Sequence, residues 1–102
     1  MKIVWTKFAR QDLFEIYKFY KDYSGKAFAD TFKSKILESP KLLKIYPDIG
    51  QTEQNPALVD YKCRYLVVNH CKVLYLVKED RIEIIAVFDT RQDPSKMLSK
   101  EE

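Results

Sequence analysis

Three apolar runs separated by two short polar breaks, between Tyr65 and Phe88, fix most of what this chain can become. Tyr65–Val68 and Val73–Val77 are dense in Val, Leu and Tyr, and Asn69-His70-Cys71-Lys72 parts them. Lys78-Glu79-Asp80-Arg81 then precedes the run Ile82–Phe88. β-Branched and aromatic runs with breaks of hairpin length predict consecutive antiparallel strands. Consecutive hairpins favour a meander, which we expect to form the core.

A chain of 102 residues supplies one hydrophobic core and not two, so residues 1–102 read as a single domain. With 46% hydrophobic residues, 14% aromatic residues and two glycines, there is enough apolar area to offset the entropy lost on ordering. A net charge of +3 permits an acidic partner but is too low to indicate nucleic-acid binding by itself. Cys63 and Cys71 stand eight apart, without CxxC spacing or companion ligands, and read as free thiols of a reducing cytoplasm. Nothing implies a metal or other cofactor. Met1–Thr6 reads as a strand and not as a signal, and no run reaches the roughly 20 apolar residues of a membrane helix.

Lys2-Ile3-Val4-Trp5 has strand composition, and Thr6 follows where a hydroxyl caps a helix. From Lys7 to Tyr23, Ala9, Leu13, Ile16, Tyr17 and Tyr20 recur at spacings of three and four, with Arg10, Asp12, Lys18, Lys21 and Asp22 on the polar arc. Ser24-Gly25 ends this helix and can cap the next, predicting a tight helical hairpin. The second helix, Lys26 to about Tyr46, aligns Phe28, Ala29, Phe32, Ile36, Leu37, Leu43 and Ile45 in an apolar stripe. Pro40 predicts a kink there, or a break at which Ser39 caps a short helix. Pro47–Gly50 stops the helix, Gln51–Pro56 reads as polar loop, and the sheet is expected to start at Leu58. Residues 95–102 read as a mobile tail.

Two features of the meander go beyond structure. From Tyr61 to Lys78 there are four basic residues, Lys62, Arg64, Lys72 and Lys78, and no acidic one, so an anionic group could dock there. Strand alternation puts Lys62 and Arg64 on one face, with Val59, Tyr61, Cys63 and Tyr65 on the other. Arg91 follows at a strand end, in Asp89-Thr90-Arg91-Gln92-Asp93-Pro94. The competing reading gives Arg64 a structural salt bridge and pairs Arg91 with Asp89 or Asp93. His70, the single histidine, has the pKa of a general base, yet a hairpin turn places it at the sheet's end and favours a solvated role. Tyr61, Tyr65 and Tyr75 could stack on bases but read first as cross-strand packing.

The order strand, helix, helix and strand meander carries A-x-x-D-L-x-x-I-Y (Ala9 to Tyr17), Y-P-D-I-G (Tyr46 to Gly50) and C-R-Y-L-V-V (Cys63 to Val68). It ends in K-V-L-Y-L-V (Lys72 to Val77) and V-F-D-T-R-Q-D-P (Val87 to Pro94). Over residues 2–94 this set resembles the RelE/ParE superfamily, toxins of bacterial type II toxin–antitoxin modules that include plasmid stabilisation proteins. The resemblance implies an α+β fold, β-α-α-β-β-β(-β), with a two-helix hairpin packed on one face of a twisted, mainly antiparallel sheet. The opposite face is expected to be concave and basic.

The resemblance also implies a cognate antitoxin that wraps the toxin in a hetero-oligomer, and one of two targets. RelE-like members enter the ribosome and cut mRNA without metal; ParE-like members act on DNA gyrase. Carried onto this sequence, a nuclease would use Lys62, Arg64 and Arg91 as catalytic cations, and target binding would use Arg64, Arg91, Lys62 and Lys72. The tail Met97–Glu102 has no Tyr or His where the RelE-like pattern carries one. The expected function is therefore ParE-like growth inhibition. The alternatives are a metal-independent endoribonuclease and a degenerate member that only binds antitoxin.

Overall fold

The computed structural model describes residues 1–56 and 61–91. The first strand, β1 (Lys2–Trp5), lies parallel to the last, β5 (Arg81–Asp89), with Lys2 opposite Arg81 and Trp5 opposite Ile84. Parallel neighbours cannot be joined by a tight turn, so the chain between them must travel. It does so through α1 (Lys7–Ser24) and α2 (Lys26–Glu38), then a 3₁₀ segment (Ser39–Lys44) and the short β2 (Gln51–Thr52). β3 (Arg64–Val68) pairs antiparallel with β4 (Cys71–Val77), and β4 antiparallel with β5, giving the order β1-β5-β4-β3-β2. This is the α+β arrangement of two helices on one sheet that the resemblance implies. The parallel place of β1 is an addition to the expected meander.

Cross-strand partners share a face, so Arg64, Leu66 and Val68 of β3 stand level with Tyr75, Val73 and Cys71 of β4. That face takes the helices: Ala9, Leu13, Tyr20, Ala29, Phe32 and Ile36 bury against Val73, Tyr75, Ile82 and Ile84. The other face is not the bare basic concavity expected. It carries a second apolar cluster, Cys63, Leu74, Ala86 and Phe88, flanked by Phe8, Tyr65 and Leu76. A β-bulge makes the change of register, because Leu74 opposes Ala86 while Tyr75 opposes Ile84 and Ile85 is the extra residue.

Thr6 caps α1 as expected, its Oγ1 accepting from Ala9 N at 3.1 Å. The same hydroxyl donates to Ile84 O at 3.0 Å, which ties the helix start to β5. Gly25 turns the hairpin at φ 89°, a conformation that a Cβ disfavours, and caps α2 without help from Ser24. Tyr17 joins the two helices by donating to Asp30 Oδ1 at 2.7 Å.

Pro40 breaks the second helix instead of kinking it: α2 ends at Glu38, and the tighter 3₁₀ winding accommodates the missing N–H. Ser39 is not a cap there, since its hydroxyl donates back to Ile36 O. Beyond the change of winding Leu43 stays buried while Ile45 is 70% exposed, and within α2 itself Phe28 and Leu37 lie at the surface and not in the expected stripe. Gln51–Pro56 is more than polar loop, because Gln51 and Thr52 pair with Tyr65 and Arg64. The expected strand start at Leu58 and Val59, with Asp93, Pro94 and the tail 95–102, lies outside the described residues.

Asp12, placed on the polar arc by periodicity, instead reaches the sheet. Beyond Trp5 no β1 residue flanks β5, and Asp12 Oδ2 accepts from Val87 N at 3.0 Å. Asp12→Ala leaves that amide unmet and should destabilise the fold by about 1–3 kcal/mol in urea unfolding. Gln11→Ala, on the exposed arc next to it, should stay within about 0.5 kcal/mol.

Candidate functional site

The loop Tyr46–Gly50 is fastened to the sheet by two cross-strand partners, Arg64 and Tyr75. Tyr75, fully buried, donates from its hydroxyl to Pro47 O at 3.0 Å and accepts from Gly50 N at 2.9 Å. Arg64 Nη1 donates to Gly50 O at 2.9 Å and Asp48 O at 3.2 Å. Glycine is required at position 50, because a Cβ there would run into the Tyr75 hydroxyl and lie 2.8 Å from Tyr65 O. The Y-P-D-I-G motif is thus the receiving half of a clamp.

Arg64 therefore belongs to the face that the helices cover, at the end they leave open. It does not share a face of one regular strand with Lys62, as expected, because β3 starts at Arg64. Lys62 has a left-handed backbone, φ 54°, outside β3, which breaks the alternation. The two residues nevertheless line one depression of about 490 Å³ at this end of the sheet, together with Asp48, Tyr61 and Lys78. Arg64 Nε comes within 3.9 Å of the exposed Asp48 carboxylate, so the structural salt bridge of the competing reading is only a long one.

Lys72 faces the other way. Its Nζ lies 2.8 Å from Glu53 Oε1 and 4.3 Å from the centre of the Tyr65 ring. Glu53 is only 4% exposed and also accepts from Asn55 N at 2.8 Å, so the pair neutralises itself inside the protein. No sequence signal marked Glu53, which lies in a stretch that reads as polar loop.

Arg91 occupies the opposite end. Nη2 donates to Asp89 Oδ2 at 2.8 Å and to the Tyr20 hydroxyl at 2.7 Å, and Nε donates to Asp89 Oδ1 at 3.1 Å. The guanidinium holds the Asp89 carboxyl below the ordinary aspartate range and is itself raised by that carboxylate. Burial pushes the Tyr20 phenol up. Next to it, Thr90 N and Oγ1 donate to His70 O at 2.7 and 2.8 Å, fixing the exit of β5 to the exposed turn that holds His70. Pairing with Asp89 was one of the readings open from sequence; the tie to Tyr20, across 71 residues, was not visible there.

Of the four expected residues, Lys62 and Arg64 are thus brought together, and Lys72 and Arg91 are not. Arg64 opposes Tyr75 and Asp89 opposes Cys71, four residues along β4, which is roughly 13 Å at ~3.3 Å per residue. Both cysteines are free and buried, and burial pushes their thiols up to about 11 for Cys63 and about 12 for Cys71, so neither is a nucleophile at neutral pH. Among the described residues no cluster of His, Cys, Asp and Glu could hold a metal, and no helix is long and apolar enough to cross a membrane.

The family model described as the ParE toxin of the type II toxin–antitoxin system parDE matches residues 3–94. A solved structure described as the chromosomal ParDE TA system from P. aeruginosa is similar at TM-score 0.73 and 25% identity, covering 87% of this chain and 95% of that one. None of the curated proteins matches this chain.

Three outcomes follow from the geometry. Tyr75→Phe leaves Gly50 N and Pro47 O unmet in a buried place and should lower stability by about 1–3 kcal/mol, with the amide of Gly50 losing protection in hydrogen exchange. Asp89 has a depressed pKa in the fold, so its contribution is present above the ordinary carboxylate range and is lost as pH falls through the folded value. Thermal melts should therefore show a steeper loss below about pH 4 for the parent than for Asp89→Asn. Arg91→Ala should lower the melting temperature by several degrees at pH 7, whereas Lys41→Ala, from an exposed pair, should not.

Proposed function

The chain belongs to the ParE toxin family of type II toxin–antitoxin systems, and on that premise we propose that it arrests growth by binding a protein target in the cytoplasm, DNA gyrase, until a cognate antitoxin neutralises it. The observation that carries this reading is the separation of the cations. Metal-free RNA cleavage needs a base, an acid and charge stabilisation around one phosphorus. Asp89, which already neutralises Arg91, stands roughly 13 Å from Arg64 along the strands at ~3.3 Å per residue. Binding places no such demand, because contacts spread over a surface add up.

Neutralisation by an antitoxin is supported by the helical hairpin. Phe14, Phe19, Tyr23 and Phe28 are all exposed there. A groove of about 500 Å³ on the hairpin, which Phe14 enters, is lined by Trp5, Leu13, Phe14, Tyr17 and Leu37 with Arg10 and Lys33. Exposed apolar surface on this scale suits a permanent partner better than bulk water.

The second reading, a ribosome-dependent endoribonuclease, draws on Lys62 and Arg64 sharing one depression. Purified protein assayed for gyrase supercoiling and for cell-free translation divides the two. Supercoiling should stop and translation should continue. The reverse result would replace the gyrase reading with the nuclease, and normal growth on induction with neither effect would make the chain a degenerate antitoxin binder.

A further inference from the structure

We propose that the depression at the open end of β3 and β4 is a docking site for a carboxylate on an acidic, apolar-flanked segment of a protein partner. The proposal rests on the protein-binding reading above and names the chemistry that such binding uses. Arg64 is its centre. One guanidinium nitrogen, Nη1, is spent on the carbonyls of Asp48 and Gly50, which fixes the plane of the group. The other edge, Nε and Nη2, makes no hydrogen bond among the described residues. A guanidinium held by one edge and open along the other presents the fork that grips a carboxylate in two places, with little side-chain entropy left to lose.

The surroundings complete the site. Lys62 and Lys78 line the same depression, and among the described residues neither side chain has an ion pair or hydrogen bond. This sets them apart from Lys72, Arg81 and Arg91, each of which is neutralised by a carboxylate. Lys62 is held toward the depression by a left-handed backbone that a lysine rarely adopts. Asp48, the one acid among the described residues that line the depression, is 79% exposed and stands 3.9 Å from Arg64 Nε, too far for a hydrogen bond. It marks where an incoming carboxylate would sit and competes weakly with it.

A protein carboxylate fits better than a nucleic-acid backbone for two reasons. Leu76, Val77 and the exposed ring of Tyr61 supply apolar walls beside the cations, which suit the side chains flanking an acid. A phosphate backbone calls for a track of several cations, and the meander's remaining ones are already neutralised.

The test is a titration of ¹⁵N-labelled protein with a capped Leu-Glu-Phe-Glu-Leu peptide, its Gln-for-Glu counterpart and oligodeoxythymidylate. The acidic peptide should shift the amides of Gly50, Lys62, Arg64 and Lys78 and bind at least tenfold more tightly than the Gln peptide. Lys62→Gln with Lys78→Gln, two side chains without a hydrogen bond or ion pair among the described residues, should weaken binding at least tenfold with an unchanged melt. Asp48→Asn should strengthen it. Equal binding of the Gln peptide, tighter binding of the oligonucleotide at the same amides, or no effect of the lysine pair would each overturn the assignment. Gyrase inhibition that persists under any of those results would leave the protein-target reading standing and remove only this site.

Discussion

The fold depends on how β5 satisfies its two edges. One edge is paired with β4 along its length apart from the bulge at Ile85, but the other meets β1 only as far as Ile84. A strand with free amides inside a core is costly, since each unmet group forfeits its solvation. The N-terminal helix resolves this. Thr6 donates twice to Ile84 O, from its backbone N–H and from its hydroxyl, and Asp12 takes the Val87 amide. Helix α1 is therefore docked by directed hydrogen bonds as well as by its apolar stripe, and its rotation about its own axis is set by Asp12. Everything that α1 carries, including Tyr20 at the far end of the sheet, takes its position from that docking.

Charge on the sheet is arranged by ends. At the β5 exit, Asp89 and Tyr20 hold Arg91; on the second face, buried Glu53 holds Lys72. Among the described residues of the meander, the end where β3 begins keeps cations with donors to spare, Lys62, Arg64 and Lys78. The acid-free run from Tyr61 to Lys78 therefore does not make a uniformly basic face: carboxylates from elsewhere in the chain fold back onto part of it.

Much of this was legible in the sequence. The strand, the helical hairpin and the meander could be read because period and composition are local properties, and Thr6 and Gly25 announce their roles by type alone. Three things were not. The parallel pairing of β1 joins residues about 80 apart, and no local pattern records a partner at that distance. Asp12 looks like a surface residue because periodicity reports the arc on which it sits and not the amide that it reaches. Lys62 and Arg64 appeared to share one face of a regular strand, and a single left-handed residue was enough to end that strand between them. Y-P-D-I-G was visible as a motif, yet the reason for its glycine is the Tyr75 hydroxyl, 25 residues later.

That hydroxyl has a consequence for association. Ile45, Tyr46 and Ile49 stand exposed on and beside the loop that Tyr75 and Arg64 fasten. A free loop bearing such side chains would lose backbone freedom a second time on meeting another surface, at roughly 1–2 kcal/mol for each residue fixed. Here that freedom is already gone when the chain folds. The apolar ledge is rigid before any encounter, so its complementarity to another molecule translates into affinity without a further ordering cost.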